Sequence, residues 1–81
     1  MREYTVLKYL SGLMEANAVM IGIVIAEATD STSRNYRAIA ARTIGSLRKK
    51  SWILRVRELN AWQITMSGRT ALEELHASHN S

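Results

Sequence analysis

Residues 33–65 read SRNYRAIAARTIGSLRKKSWILRVRELNAWQIT, and the period of their apolar positions changes at Lys50. Up to that point Tyr36, Ile39, Ala40, Thr43, Ile44 and Leu47 fall on one face of a helical wheel. Arg34, Arg37, Ala38, Ala41, Arg42, Gly45, Arg48 and Lys49 take the other side. Ala38, Ala40 and Ala41 favour a helix and nothing in the span forbids one, so the spacing predicts a helix over 33–50. Beyond Lys50 the pattern alternates: Ile53, Arg55 and Arg57 point one way, Trp52, Leu54 and Val56 the other. A second short run, 62–65, follows Glu58-Leu59-Asn60-Ala61. Two alternating runs around an Asn-containing turn predict a β-hairpin.

Outward from this core the chain is helical. Val6, Leu7, Leu10, Leu13 and Met14 predict a first helix over 2–14, weakened at Gly12 and broken at Asn17. Ala18 to Met20 reads as a short extended piece. Ile21, Val24, Ile25 and Ala28 again have helical spacing. Their β-branched content leaves a strand open, while Gly22, Ala26, Ala28, Glu27 and Asp30 favour a short second helix over 21–28. The hydroxyls of Ser31, Thr32 and Ser33 suit a turn and an N-cap. On the C-terminal side Thr65 or Ser67 caps a last helix with Ala71, Leu72 and Leu75 as its apolar stripe. Residues 76–81 have no apolar anchor and are expected to form a flexible tail after a domain over 1–75. The predicted class is mostly α with a small β-hairpin.

Composition narrows the function. The chain has 81 residues, no cysteine and no proline. A chain of this size forms one domain with a small core. Without cysteine there is no disulfide, thiolate metal site or cysteine nucleophile. The apolar window from Ala18 to Ala26 is far shorter than the roughly 20 residues of a membrane-spanning helix. A soluble cytoplasmic protein is expected, with no membrane partner. The net charge of +4 conceals an uneven distribution. Residues 31–57 hold eight basic residues and no acid, whereas the remainder has three basic and seven acidic residues.

That block has the profile of a DNA reader. A helix enters the major groove when its outward face is slim and its margins are basic. Ala38, Ala41 and Gly45 add almost no bulk, and arginines surround them. The N-terminal half of such a helix reaches base edges, which assigns base reading to Arg34, Arg37, Ala38, Ala41 and Arg42. Ser33, Arg48, Lys49, Lys50, Arg55 and Arg57 are assigned to phosphates, because they lie at the helix ends and on the hairpin. A merely solvated face normally mixes both signs, since opposite charges at i and i+4 support a helix.

The order helix, helix, helix, hairpin, helix resembles the winged helix-turn-helix family of small bacterial, archaeal and phage transcriptional regulators. The stretch Ala41-Arg42-Thr43-Ile44-Gly45-Ser46-Leu47-Arg48-Lys49-Lys50-Ser51-Trp52-Ile53 looks like that family's recognition helix and its exit into the wing. Trp62-Gln63-Ile64-Thr65-Met66-Ser67-Gly68-Arg69-Thr70-Ala71-Leu72 is similar to the aromatic-x-Leu-Thr-x-x-Gly-Arg-x-Leu signature of the multiple-antibiotic-resistance-repressor type. The resemblance implies a double-stranded DNA-binding regulator or repressor, cytoplasmic and nucleoid-associated. Ser51 stands where the family usually has Gly, and about four residues between the strands make a short wing. The same fold could instead serve as a protein-docking module, or as an accessory DNA-architectural protein of a mobile element.

Other signals read as structural. Trp52 and Trp62 fill the core beneath the hairpin rather than stack on bases. His76 and His79 lack further ligands, so no metal site is expected. No nucleophile, base and orienter occur together and no Gly-rich phosphate loop exists, so neither an enzyme nor a cofactor is expected. A homodimer could form through the first helix, at Tyr4, Leu7 or Leu10, or through Leu72 and Leu75 of the last.

Overall fold

The computed structural model describes residues 2–13 and 15–80, with side chains as far as residue 78. In chain order the elements are α1 (Arg2–Ser11), α2 (Ala18–Ala28), α3 (Tyr36–Lys49), β1 (Ile53–Val56), a single 3-10 turn (Arg57–Leu59), β2 (Ala61–Ile64) and α4 (Met66–Asn80). The expected class, helices with a small two-stranded antiparallel hairpin, is the one observed.

Burial follows the helical periodicity. Val6, Leu7 and Leu10 of α1, Ile21 and Ile25 of α2, and Ala40, Ile44 and Leu47 of α3 form one core with Ile53 and Ala71. Leu7 and Leu10 are 0% exposed. They are therefore core residues and cannot be the dimer contacts the sequence suggested. α2 and α3 pack so closely that a Cβ on Gly22 would overlap the carbonyl of Tyr36. Likewise a Cβ on Gly68 would overlap the Trp52 carbonyl, where α4 starts against the hairpin.

Several boundaries move for local reasons. α1 stops at Ser11, not at residue 14, which lies outside the described residues; the Ser11 hydroxyl donates to the Lys8 carbonyl at 2.7 Å. Ala18 to Met20, expected as an extended piece, is the first turn of α2. Asn17 is its N-cap, accepting the Met20 N–H at 2.9 Å. The extended contact falls one step earlier. Ala16 exchanges two backbone hydrogen bonds with Trp62, at 2.9 and 2.8 Å, and so adds a one-residue bridge to β2.

α3 starts at Tyr36 rather than at residue 33. The hydroxyls of Ser31 and Ser33 accept the N–H groups of Ser33 and Asn35, at 3.2 and 3.3 Å, and this holds the chain in turns. Asn35 then caps the helix through the Ala38 N–H at 3.4 Å. Both α2 and α3 end in a Schellman motif. Ser31 N–H reaches the Ala26 carbonyl at 2.8 Å, and Trp52 N–H reaches the Leu47 carbonyl at 3.0 Å. The left-handed positions are Asp30, φ 55°, and Ser51, φ 63°, where glycine is the usual occupant.

The hairpin register pairs Ile53 with Ile64, Leu54 with Gln63, Arg55 with Trp62 and Val56 with Ala61. Ala61, expected in the turn, belongs to β2, and the turn proper is Arg57 to Asn60. Asn60 closes it with φ 48°. Residues 76–80, expected as a flexible tail, continue α4 as helical backbone. Tyr4 Oη lies 3.0 Å from His76 Nδ1 and the two rings stack, which fastens this part of α4 to α1.

Candidate nucleic-acid interface

α3 divides as its periodicity requires. Ala40, Thr43, Ile44 and Leu47 are buried, with Tyr36 and Ile39 at the boundary. Arg37, Ala38, Ala41, Arg42, Gly45, Arg48 and Lys49 are all exposed. Ala38 and Gly45 lie on the outermost line of the helix, since residues seven apart nearly superpose along its axis. Nothing lies within 4 Å of a Cβ built on Gly45. Packing therefore does not require glycine there, although a mid-helix glycine costs roughly 0.5–1 kcal/mol relative to alanine.

Basic residues border this ridge on both sides. Arg37 shares an open notch with Arg55 and Asn60 of the hairpin. Arg42 shares another with Arg2 of α1. No acidic residue among those described lines either notch. Arg2 was missed by the sequence reading because it lies outside the acid-free block; only the packing of α1 beside α3 brings it near Arg42.

Arg34 and Ser33 precede the Asn35 cap, so they sit on the loop before α3 and not on the helix. Arg48 and Lys49 occupy the last turn of α3, where cations also favour the negative end of the helix dipole. Arg57 is exposed in the hairpin turn. Arg55 donates from Nη2 to Asn60 Oδ1 at 2.9 Å. Lys50 differs from its neighbours: Nζ lies 2.9 Å from both oxygens of Glu3 and 4.7 Å from the Trp52 ring centroid. Glu3–Lys50 is the only salt bridge among the described residues. Burial raises the Glu3 carboxyl's proton affinity, but hydrogen bonds from Lys50 and Ser46 and the Lys50 charge outweigh it, holding the group below its ordinary value.

Trp52 and Trp62 are half-buried against the core. No group of three or more metal-ligating side chains occurs among the described residues, and the His79 side chain lies outside them. No described helix is long and apolar enough to cross a membrane. No protein-family model, curated protein or solved structure matches the chain.

Proposed function

We propose that this chain is a non-catalytic, double-stranded DNA-binding protein of the winged helix-turn-helix type, acting as a small nucleoid-associated transcriptional regulator. α3 enters the major groove and the hairpin serves as a wing on the flanking backbone. One observation carries the reading: a ridge of Ala38, Ala41 and Gly45, with glycine where packing does not require it, between exposed arginines that form no ion pair among the described residues. Slimness at closest approach with cations at the margins is what a groove-entering helix needs. The Ala16 bridge supports the same reading, because it fixes the hairpin beside the helices.

In this arrangement Ala38, Ala41 and Arg42 face base edges, and Arg48 and Lys49 meet phosphates. Lys50 contributes least, because Glu3 already neutralises it. With four residues in its turn, the wing lies along the backbone rather than deep in the minor groove.

The test is selection from a random duplex library followed by salt titration. A defined motif, and loss of binding in Arg42→Ala, support a regulator. Salt-dependent binding without a motif but with bending identifies an architectural protein instead. A palindromic motif indicates a dimer, for which Tyr4 and the half-buried Leu72 and Leu75 are the remaining contacts. Leu54, Leu59 and Met66, exposed by 55%, 56% and 80%, favour a second reading as a protein-docking module. Absence of any duplex binding would leave that one standing.

A further inference from the structure

The notch between the start of α3 and the far end of the hairpin has an unusual electrostatic construction. It is an open concavity of about 350 Å³ whose lining includes Arg37, Arg55, Asn60, Trp62, Asn17 and Leu59. Arg55 shares a hairpin face with the buried Ile53, because residues two apart on a strand point the same way. It therefore overhangs the helices instead of pointing away from them. Asn60, held in the left-handed conformation, accepts one hydrogen bond from the Arg55 guanidinium. A guanidinium has five N–H donors, so most of those on Arg55 remain for a ligand. Arg37 stands across the notch in the first turn of α3, exposed and without an ion-pair partner among the described residues. Two positive charges thus face one concavity whose described lining contains no carboxylate. That charge pattern suits an anion.

The geometry of duplex DNA identifies that anion. If α3 lies in the major groove and the hairpin alongside, the sugar-phosphate strand that separates the two grooves must pass between them. We propose that Arg37 and Arg55 clasp a single backbone phosphodiester in this notch, with Asn60 as the positioning residue for Arg55. The inference rests on the DNA-binding reading above, and it moves Arg37 from base edge to backbone. Guanidinium groups suit this ligand because their planar donors match phosphate oxygens.

Two measurements test it. In the first, wild type, Arg37→Ala, Arg55→Ala and the double variant are titrated with a random-sequence duplex at several salt concentrations. One shared phosphate predicts that the double variant loses about 0.9 unit of salt slope in total and that neither single variant loses more than that. A double variant that loses about twice that slope, with affinity losses that multiply, overturns the clasp. In the second, the Arg Nε–Hε signals are followed by NMR during titration with inorganic phosphate, without DNA. Both arginines are expected to follow one saturation curve in wild type, and Arg55 to lose its response in Arg37→Ala. Independent or absent responses overturn the site even if duplex binds. Joint responses in a protein that binds no duplex would uphold the anion site and reject the DNA reading alone.

Discussion

The hydroxyl of Thr65 donates to the carbonyl of Ser51 at 2.7 Å and accepts the N–H of Gly68 at 3.0 Å. One side chain thus joins the exit of α3 to the cap of α4, and the Thr65 N–H to Trp52 carbonyl bond at 2.9 Å reinforces the junction. Thr65→Val keeps the volume and removes both side-chain hydrogen bonds. It is expected to lower the unfolding free energy by about 1–2 kcal/mol, the range for a lost N-cap, whereas Thr65→Ser retains most of it. Urea unfolding of the three proteins checks this; equal midpoints for Val and Thr would refute the junction's role.

Ser51 holds a left-handed backbone conformation with φ 63°. An L-residue there costs roughly 1–2 kcal/mol, part of which glycine gives back through its freer unfolded chain. Ser51→Gly is expected to be more stable by about 1 kcal/mol, raising the melting temperature by about 4–8 °C for a domain of this size. Ser51→Val is expected to be less stable than wild type. Calorimetry decides the order.

Gly45 allows folding and the proposed duplex binding to be tested apart. Its added methyl group meets open space, so Gly45→Ala is expected to stabilise the fold by about 0.5–1 kcal/mol. Gly45→Leu should also fold, yet it places bulk on the outermost line of α3. Duplex affinity is therefore expected to fall at least tenfold in the leucine variant while its melting temperature stays at or above wild type. Unchanged affinity in Gly45→Leu would remove α3 from the groove.

The Glu3–Lys50 pair makes stability depend on acid. Its folded-state carboxyl titrates below the ordinary value of 4.5, so the unfolded chain binds the proton more readily. The contribution is complete above that value and is lost as pH falls through the lower folded-state range. Glu3→Gln is expected to be less stable than wild type near neutral pH, with the difference shrinking below about pH 4.5. Solvent exposure of both partners keeps the effect modest and sensitive to salt. A difference that stays constant from neutral pH to pH 3 would contradict this.

The parts of the molecule legible in the sequence are those where burial follows a local period. Tyr36, Ile39, Ala40, Thr43, Ile44 and Leu47 mark the inner face of α3 because each turn must place an apolar residue inward. The cap of α4 was legible to within two residues, as Thr65 or Ser67, for a similar reason, since a capping hydroxyl acts within four residues. What escaped depends on distant partners or on competition between short-range hydrogen bonds. Glu3 captures Lys50 across 47 residues of chain, which no local pattern signals. The start of α3 moved because Ser31 and Ser33 satisfy nearby N–H groups in turns before Asn35 can cap. α2 starts earlier than its spacing predicts because Asn17 does not break the chain but caps the helix.

The bridge between Ala16 and Trp62 fixes where the hairpin lies. Through it the hairpin is secured on one side to the segment between α1 and α2 and on the other, through Thr65, to α4. A hairpin hinged only at its two strand ends would be free to reorient against the helices, and any partner would have to immobilise it at an entropic cost. Here that ordering is completed during folding, which sets the spacing between α3 and the hairpin in the free chain. On the DNA-binding reading proposed above, the span between α3 and the hairpin would act as a fixed caliper that favours duplexes whose dimensions match it.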